Sequence, residues 1–166
     1  HITVCYTFDM KKLPLVISAC LAGRCCRYDG SSALLSCLNA LDEVFELIAL
    51  CPEQLGGLPT PRSCAELVNR RVLTKEGLDL TEPFVEGSRK ALALARAQGC
   101  STALLMDRSP SCGSTCVYDG TFSGTLIEGE GVFANLLREQ GFPLYTPKTI
   151  DALMKANTVS YESEHR

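Results

Sequence analysis

Three cysteines of this 166-residue chain stand among residues that turn the backbone: SACLAG around Cys20, CPE from Cys51, and SPSCG around Cys112. Proline and glycine beside a thiol fix the local backbone and free amide N–H groups to point at sulfur. Soft thiolates select metals such as zinc and the irons of Fe–S clusters. The chain has ten cysteines but only two histidines, His1 and His165. A Ser-His-Asp triad, a Cys-His pair and an interior histidine ligand are therefore all excluded. Two metal readings stay open on the residues alone. A three-cysteine zinc site needs a fourth ligand from elsewhere. A [4Fe–4S] cluster held by three cysteines leaves one iron with only a small ligand, such as sulfide. An iron so exposed is a soft Lewis acid, matched to a sulfur-bearing substrate.

The other cysteines are given plainer roles. Free cysteine packs as a small apolar side chain, and Cys37, Cys64 and Cys100 read that way. Cys25 and Cys26 are adjacent, and vicinal thiols seldom both reach one metal, so they read as peripheral. Cys116 lies four residues after Cys112 without a strand-and-turn frame. No C-x-x-C occurs, which argues against a thiol redox protein.

The elements that must position these thiols follow from hydrophobic patterning. Residues 13–19 (LPLVISA), 45–50 (FELIAL) and 102–106 (TALLM) are short apolar runs that read as buried strands. They deliver Cys20 and Cys51 directly, and Cys112 through the loop 107–116. Residues 142–145 make a fourth strand. Leu34, Leu35, Leu38 and Leu41 have helical spacing, with Ser31 or Ser32 as N-cap. Helices are also expected from Thr81 to Gly99 and from Val132 to Gln140, closed by Gly141. A last helix follows the Thr146-Pro147 cap. Residues 52–64 carry three prolines and Gly56-Gly57, which reads as irregular chain. A hairpin is expected over 67–80, turning at Lys75-Glu76-Gly77, and a second small one over 118–131.

Strands alternating with helices predict an α/β fold: one Rossmann-like domain over 10–157, a mainly parallel sheet flanked by helices, with a small hairpin insertion. Ligands of such sheets bind outside the carboxyl ends of the strands, which places the three thiols along one edge. Residues 1–9 read as a vector-derived extension before Met10, which removes Cys5 from the chemistry, and 158–166 as a frayed polar tail. A net charge of −3 and a pI near 5.4 argue against a general grip on nucleic acid. No run approaches the roughly 20 apolar residues of a membrane span, and no signal peptide is evident. A cytoplasmic setting follows, where thiols stay reduced.

Five segments, taken in order, resemble the thiouracil desulfurase family: SACLAGRCCRYDG (18–30), CPEQLGGLPTPR (51–62), GLDLTEPFVEGSRKALALA (77–95), RSPSCG (108–113) and YDGTFSG (118–124). The resemblance runs from about residue 13 to 146. It implies a [4Fe–4S] protein that removes sulfur from a thiouracil-type thiopyrimidine without net redox change, giving the oxo-pyrimidine and sulfide. It also implies Cys20, Cys51 and Cys112 as the cluster ligands, one iron without a protein ligand, and Glu53 and Ser109 beside the substrate. Glu53 would be the base for the attacking water, and Ser109 would orient the heterocycle. Against those roles, Glu53 could instead serve only to pair with Arg62. Asp29 and Asp119 read as Asx turns in their Tyr-Asp-Gly triplets. Where the family often has Lys before RSPSCG, this chain has Met106. A cluster-based sulfur-transfer protein and a non-catalytic zinc module are the alternatives.

Overall fold

A computed structural model describes residues 11–164 of the chain. The expected extension at 1–9, Cys5 and both histidines lie outside that range. Strand β1 (Leu13–Ser18) pairs in parallel along its whole length with β2 (Phe45–Leu50), from Leu13 opposite Phe45 to Ser18 opposite Leu50. Its other edge pairs in parallel with β5 (Ala103–Leu104), which pairs in turn with β8 (Leu144–Tyr145). The sheet order is β2-β1-β5-β8.

Both faces of β1 are covered, so its residues are apolar without alternation. Leu15 and Ile17 enter a core with Leu41, Phe45, Leu104 and Leu153. Val16 points the other way, into a core with Ala91, Ala95, Phe133 and Leu137. Helices α1 (Leu38–Val44) and α5 (Ile150–Glu164) therefore cover one face. Helices α3 (Thr81–Ala97) and α4 (Val132–Glu139) cover the other. This is the α/β class expected, with a wholly parallel central sheet. Among the described residues, no helix is long and apolar enough to cross a membrane.

The elements depart from expectation where longer-range bonds prevail over local pattern. Helix α1 begins at Leu38 rather than near Leu34. Ala33 N–H and Leu35 N–H instead donate to Cys20 O at 2.9 Å and Leu21 O at 3.0 Å, committing that stretch to the loop after β1. The third strand is cut to two residues because Met106 N–H donates to the Ser18 hydroxyl at 2.9 Å instead of to a strand carbonyl. Residues 52–55 are not irregular: Pro52–Leu55 form one helical turn, α2, with Pro52 in its favoured first-turn place.

Strands β3 (Ala65–Val68) and β4 (Arg71–Thr74) form the first hairpin, but its turn is Asn69-Arg70, not residues 75–77. That turn needs positive φ twice, and the pair lacks the glycine that would have announced it. Residues 75–77 make a further bend, with Gly77 N–H on Thr74 O at 2.9 Å. The second hairpin joins β6 (Cys116–Tyr118) and β7 (Leu126–Glu128). The Thr146 cap is present and starts a short 3-10 turn, Pro147–Thr149, ahead of α5. Helix α5 continues through the stretch expected to fray, as far as Glu164.

Candidate active site

Sequence order in the sheet reverses between β1 and β5, the place where parallel α/β sheets open a crevice. Cys20 follows β1, Cys51 follows β2, and Cys112 lies in the loop after β5. All three line one cavity of about 630 Å³, together with Glu53 and Ser109. The structure thus brings together every site residue named from sequence. The thiols are 8, 8 and 4% exposed.

Local chemistry explains each placement. Cys51 caps the short helix α2, its carbonyl accepting from Leu55 N–H at 3.0 Å. Two glycines hold α2 backbone-to-backbone against α3. A Cβ at Gly87 would lie 1.8 Å from Pro52 O, and one at Gly56 would lie 2.1 Å from Pro83 O. Cys112 sits in a turn organised by Ser109, whose hydroxyl accepts N–H bonds from Ser111 at 3.2 Å and Cys112 at 3.1 Å. The first turn of α4 anchors that loop, with Phe133 N–H and Ala134 N–H donating to Ser111 O at 2.9 and 3.0 Å.

Glu53 is the hub of the polar wall. Its Oε1 accepts from Arg62 Nε at 3.2 Å, and its Oε2 accepts from the Ser111 hydroxyl at 2.9 Å. The side chains of this ion pair are only 14 and 5% exposed. The expected pairing with Arg62 is therefore present, and Glu53 faces the cavity all the same. Arg62 also donates to Cys26 O at 2.9 Å and to Pro59 O and Thr60 Oγ1, tying the loop after β1 and its own loop to α2. Ser109 Oγ lies 3.0 Å from Ser111 Oγ. With Ser111 donating to Glu53, Ser109 donates to Ser111, and the hydroxyls form a chain ending on the carboxylate. Asp29 and Asp119 make the expected Asx turns, to Ser31 and Thr121.

Two residues were underrated by sequence. Ser111 joins Glu53 to Ser109, and the same hydroxyl, when turned from Glu53, reaches the Cys112 sulfur at 3.7 Å; its only signal was the doubled serine of SPSC. Cys26 is not peripheral. It is 2% exposed, lines the cavity, and its thiol neighbours those of Cys20 and Cys51. Only Cys25 of that vicinal pair is exposed. Cys64 is no core residue either but an exposed thiol at the cavity rim, whereas Cys100 is buried as expected. Cys116 stands in β6, away from the cavity lining. Met106, the noted departure from the family pattern, lines the cavity, and Lys75 reaches it from just beyond the first hairpin.

Burial pushes the Cys112 thiol up to about 12, against hydrogen bonds from Ser18 and Ser111 that favour its thiolate. Interaction with Cys26, then burial, raises Cys51 as well. Among the described residues, no three of His, Cys, Asp and Glu close on the point-like site of a single ion. The set fits a [4Fe–4S] cluster by its chemistry: thiols from three loops, no nitrogen donor, and hydroxyls bonded to the Cys112 sulfur.

A family model described as 2-thiouracil desulfurase matches residues 15–149. The uncharacterized protein YbbK of Bacillus subtilis (strain 168) is 37% identical over 150 residues, covering 84% of this chain and 99% of the relative. A solved structure, the [4Fe–4S]-dependent thiouracil desulfidase TudS, superposes with a TM-score of 0.84 at 42% identity, covering 89% of this chain and 99% of that one. The matched span begins in β1, ends in the turn before α5, and contains every loop that reaches the cavity; this chain belongs to the 2-thiouracil desulfurase family.

Proposed function

We propose that this protein is a [4Fe–4S]-dependent desulfurase that converts a 2-thiouracil-type thiopyrimidine to the oxo-pyrimidine and sulfide. Cys20, Cys51 and Cys112 hold the cluster, and one iron is left without a protein ligand. The balance is hydrolytic: C=S and water become C=O and hydrogen sulfide, with no electrons gained or lost. The observation that carries this reading is the convergence of three strand-end thiols and the Glu53–Ser111–Ser109 chain on one cavity. The family match and the likeness to a thiouracil desulfidase favour it over a zinc module or a sulfur-transfer protein.

When bound, the cluster supplies a thiophilic Lewis acid for the thiocarbonyl sulfur. The remaining work falls to the chain. Arg62 fixes one carboxylate oxygen of Glu53, so the carboxylate keeps its direction toward the cavity. Glu53 takes a proton from the water that attacks the ring carbon, as a general base. Ser111 shares that proton at Glu53 Oε2, and Ser109 extends the path along the cavity wall toward the heterocycle. Glu53, Arg62 and the three thiols are themselves largely buried, which strengthens each of these contacts.

Anaerobically reconstituted protein should contain four irons and four sulfides per chain by this reading. It should release uracil and sulfide from 2-thiouracil in equal amounts. Cluster-loaded protein that leaves every thiopyrimidine intact would overturn the proposal.

A further inference from the structure

Four residues other than glycine, among those described, have left-handed backbone: Asn69, Arg70, Arg108 and Phe122. Asn69 and Arg70 are the central pair of the β3–β4 turn, which requires positive φ at both. The other two have no such local need, and both line the cavity. Phe122, at φ 57, is a bulky aromatic residue held against its own preference. Such strain persists only where the surroundings over-determine it, and it gathers at functional sites.

The surroundings do over-determine it. Glu66, a 5% exposed residue of β3, accepts two backbone N–H bonds through one oxygen, from Gly120 at 3.3 Å and Phe122 at 3.2 Å. Gly120 lies on β3 so closely that a Cβ there would be 2.7 Å from Leu67 O. Asp119 holds Thr121 through bonds of 2.9 and 2.6 Å, and Thr121, Ser123 and Thr125 link hydroxyl to hydroxyl. The proposed chemistry uses none of these groups. A buried carboxylate and a hydroxyl chain thus fix the backbone of a loop whose one aromatic residue, Phe122, lines the cavity. Tyr28 and Tyr118 also line it, but with ordinary backbone.

We propose that Phe122 is the platform on which the flat heterocycle of the substrate stacks, and that Glu66 is the positioning residue that holds it there. This rests on the thiopyrimidine reading above. A pyrimidine offers two π faces, and stacking on an aromatic side chain recognises flatness rather than hydrogen-bonding pattern.

The test titrates holoenzyme with uracil and with 5,6-dihydrouracil, which keeps the amide edge but loses the aromatic ring. Wild-type protein should prefer uracil. Phe122→Ala should weaken uracil binding by about fivefold or more and bring the two ligands level. Phe122→Leu should lose the preference while keeping apolar bulk, and Phe122→Tyr should retain it. Glu66→Ala should raise KM for 2-thiouracil more than it changes kcat, and Glu66→Gln, which keeps a carbonyl acceptor, should restore most of the loss. In a Phe122→Ala background, Glu66→Ala should add nothing. An unchanged uracil preference in Phe122→Leu, or multiplying effects of the two alanine changes, overturns the proposal. Wild-type holoenzyme that leaves thiouracil intact overturns instead the reading beneath it.

Discussion

At the residue scale the proposed site divides between groups that hold the cluster and groups that act on the substrate. Changing Cys20, Cys51 or Cys112 to alanine should abolish cluster loading, read as loss of iron and of the visible Fe–S absorbance. Cys100→Ala should load normally, because that thiol lies in the core between the sheet and α3. Loss of the cluster in a Cys116 variant would contradict the ligand set. Glu53→Gln should keep the cluster but lower kcat by about a hundredfold or more, the usual scale of a lost general base. Retained iron content separates that outcome from a folding defect. The loop thiols were legible because proline or glycine stands close to each of them. Ser111 and Cys26 were not, since their importance lies in partners 58 and 25 residues away.

At the element scale the decisive contact is the one between α2 and α3. Alanine is the better helix former, yet Gly87→Ala drives a methyl into the Pro52 carbonyl. It should destabilise the fold by about 1–3 kcal/mol, the usual cost of overpacking. It should also lower kcat, because Cys51 and Glu53 ride on α2. Denaturant unfolding and turnover of the same variant check both. The start of α3 carries a pH signature. Bonds from Thr81, reinforced by Arg71, hold the Asp79 carboxyl down at about 2, below its ordinary 3.8. A lowered carboxyl pKa stabilises the fold above the ordinary value, and that contribution is lost as pH falls through about 2. Asp79→Ala should therefore lower Tm at neutral pH, with the gap to wild type closing between about pH 4 and 2. Strand β1 was legible almost to the residue because burial on both faces leaves an unbroken apolar run, and edge strand β2 kept its expected bounds although Glu46 interrupts its apolar pattern. The Asn69-Arg70 turn and the late start of α1 were not, since a turn without glycine and a loop bonded to another loop leave no periodic trace.

At the scale of the whole molecule, the parallel sheet supplies the framework, and two hairpins complete the cavity. Lys75 reaches it from just beyond the first hairpin, and Tyr118 and Phe122 come from the second. A cofactor held as proposed, by loops from three strands, ties together segments distant in sequence, and binding to the folded state alone raises stability by mass action. Anaerobic removal of the cluster should lower Tm, and the Cys20→Ala variant should melt where the stripped wild type does. A Tm unmoved by cluster removal would contradict the proposed tie between these loops, since a group held only by the folded chain must raise its stability. The fold class was legible because strand and helix periods alternate cleanly along the chain. The course of the hairpins over the cavity was not, since only tertiary contacts decide where a short insertion comes to rest.

The nearness of Cys26 to Cys20 and Cys51 bears on how the enzyme comes to be assembled. In a chain that has not yet received iron, these thiols are one another's closest reaction partners. An oxidant that removes two electrons and two protons from a pair of them makes a disulfide and, on the proposed ligand set, takes a ligand away from the cluster. On the proposed ligand set, maturation becomes a race between iron–sulfur delivery and oxidation. The thiol that makes the race close is one outside the assigned ligand set.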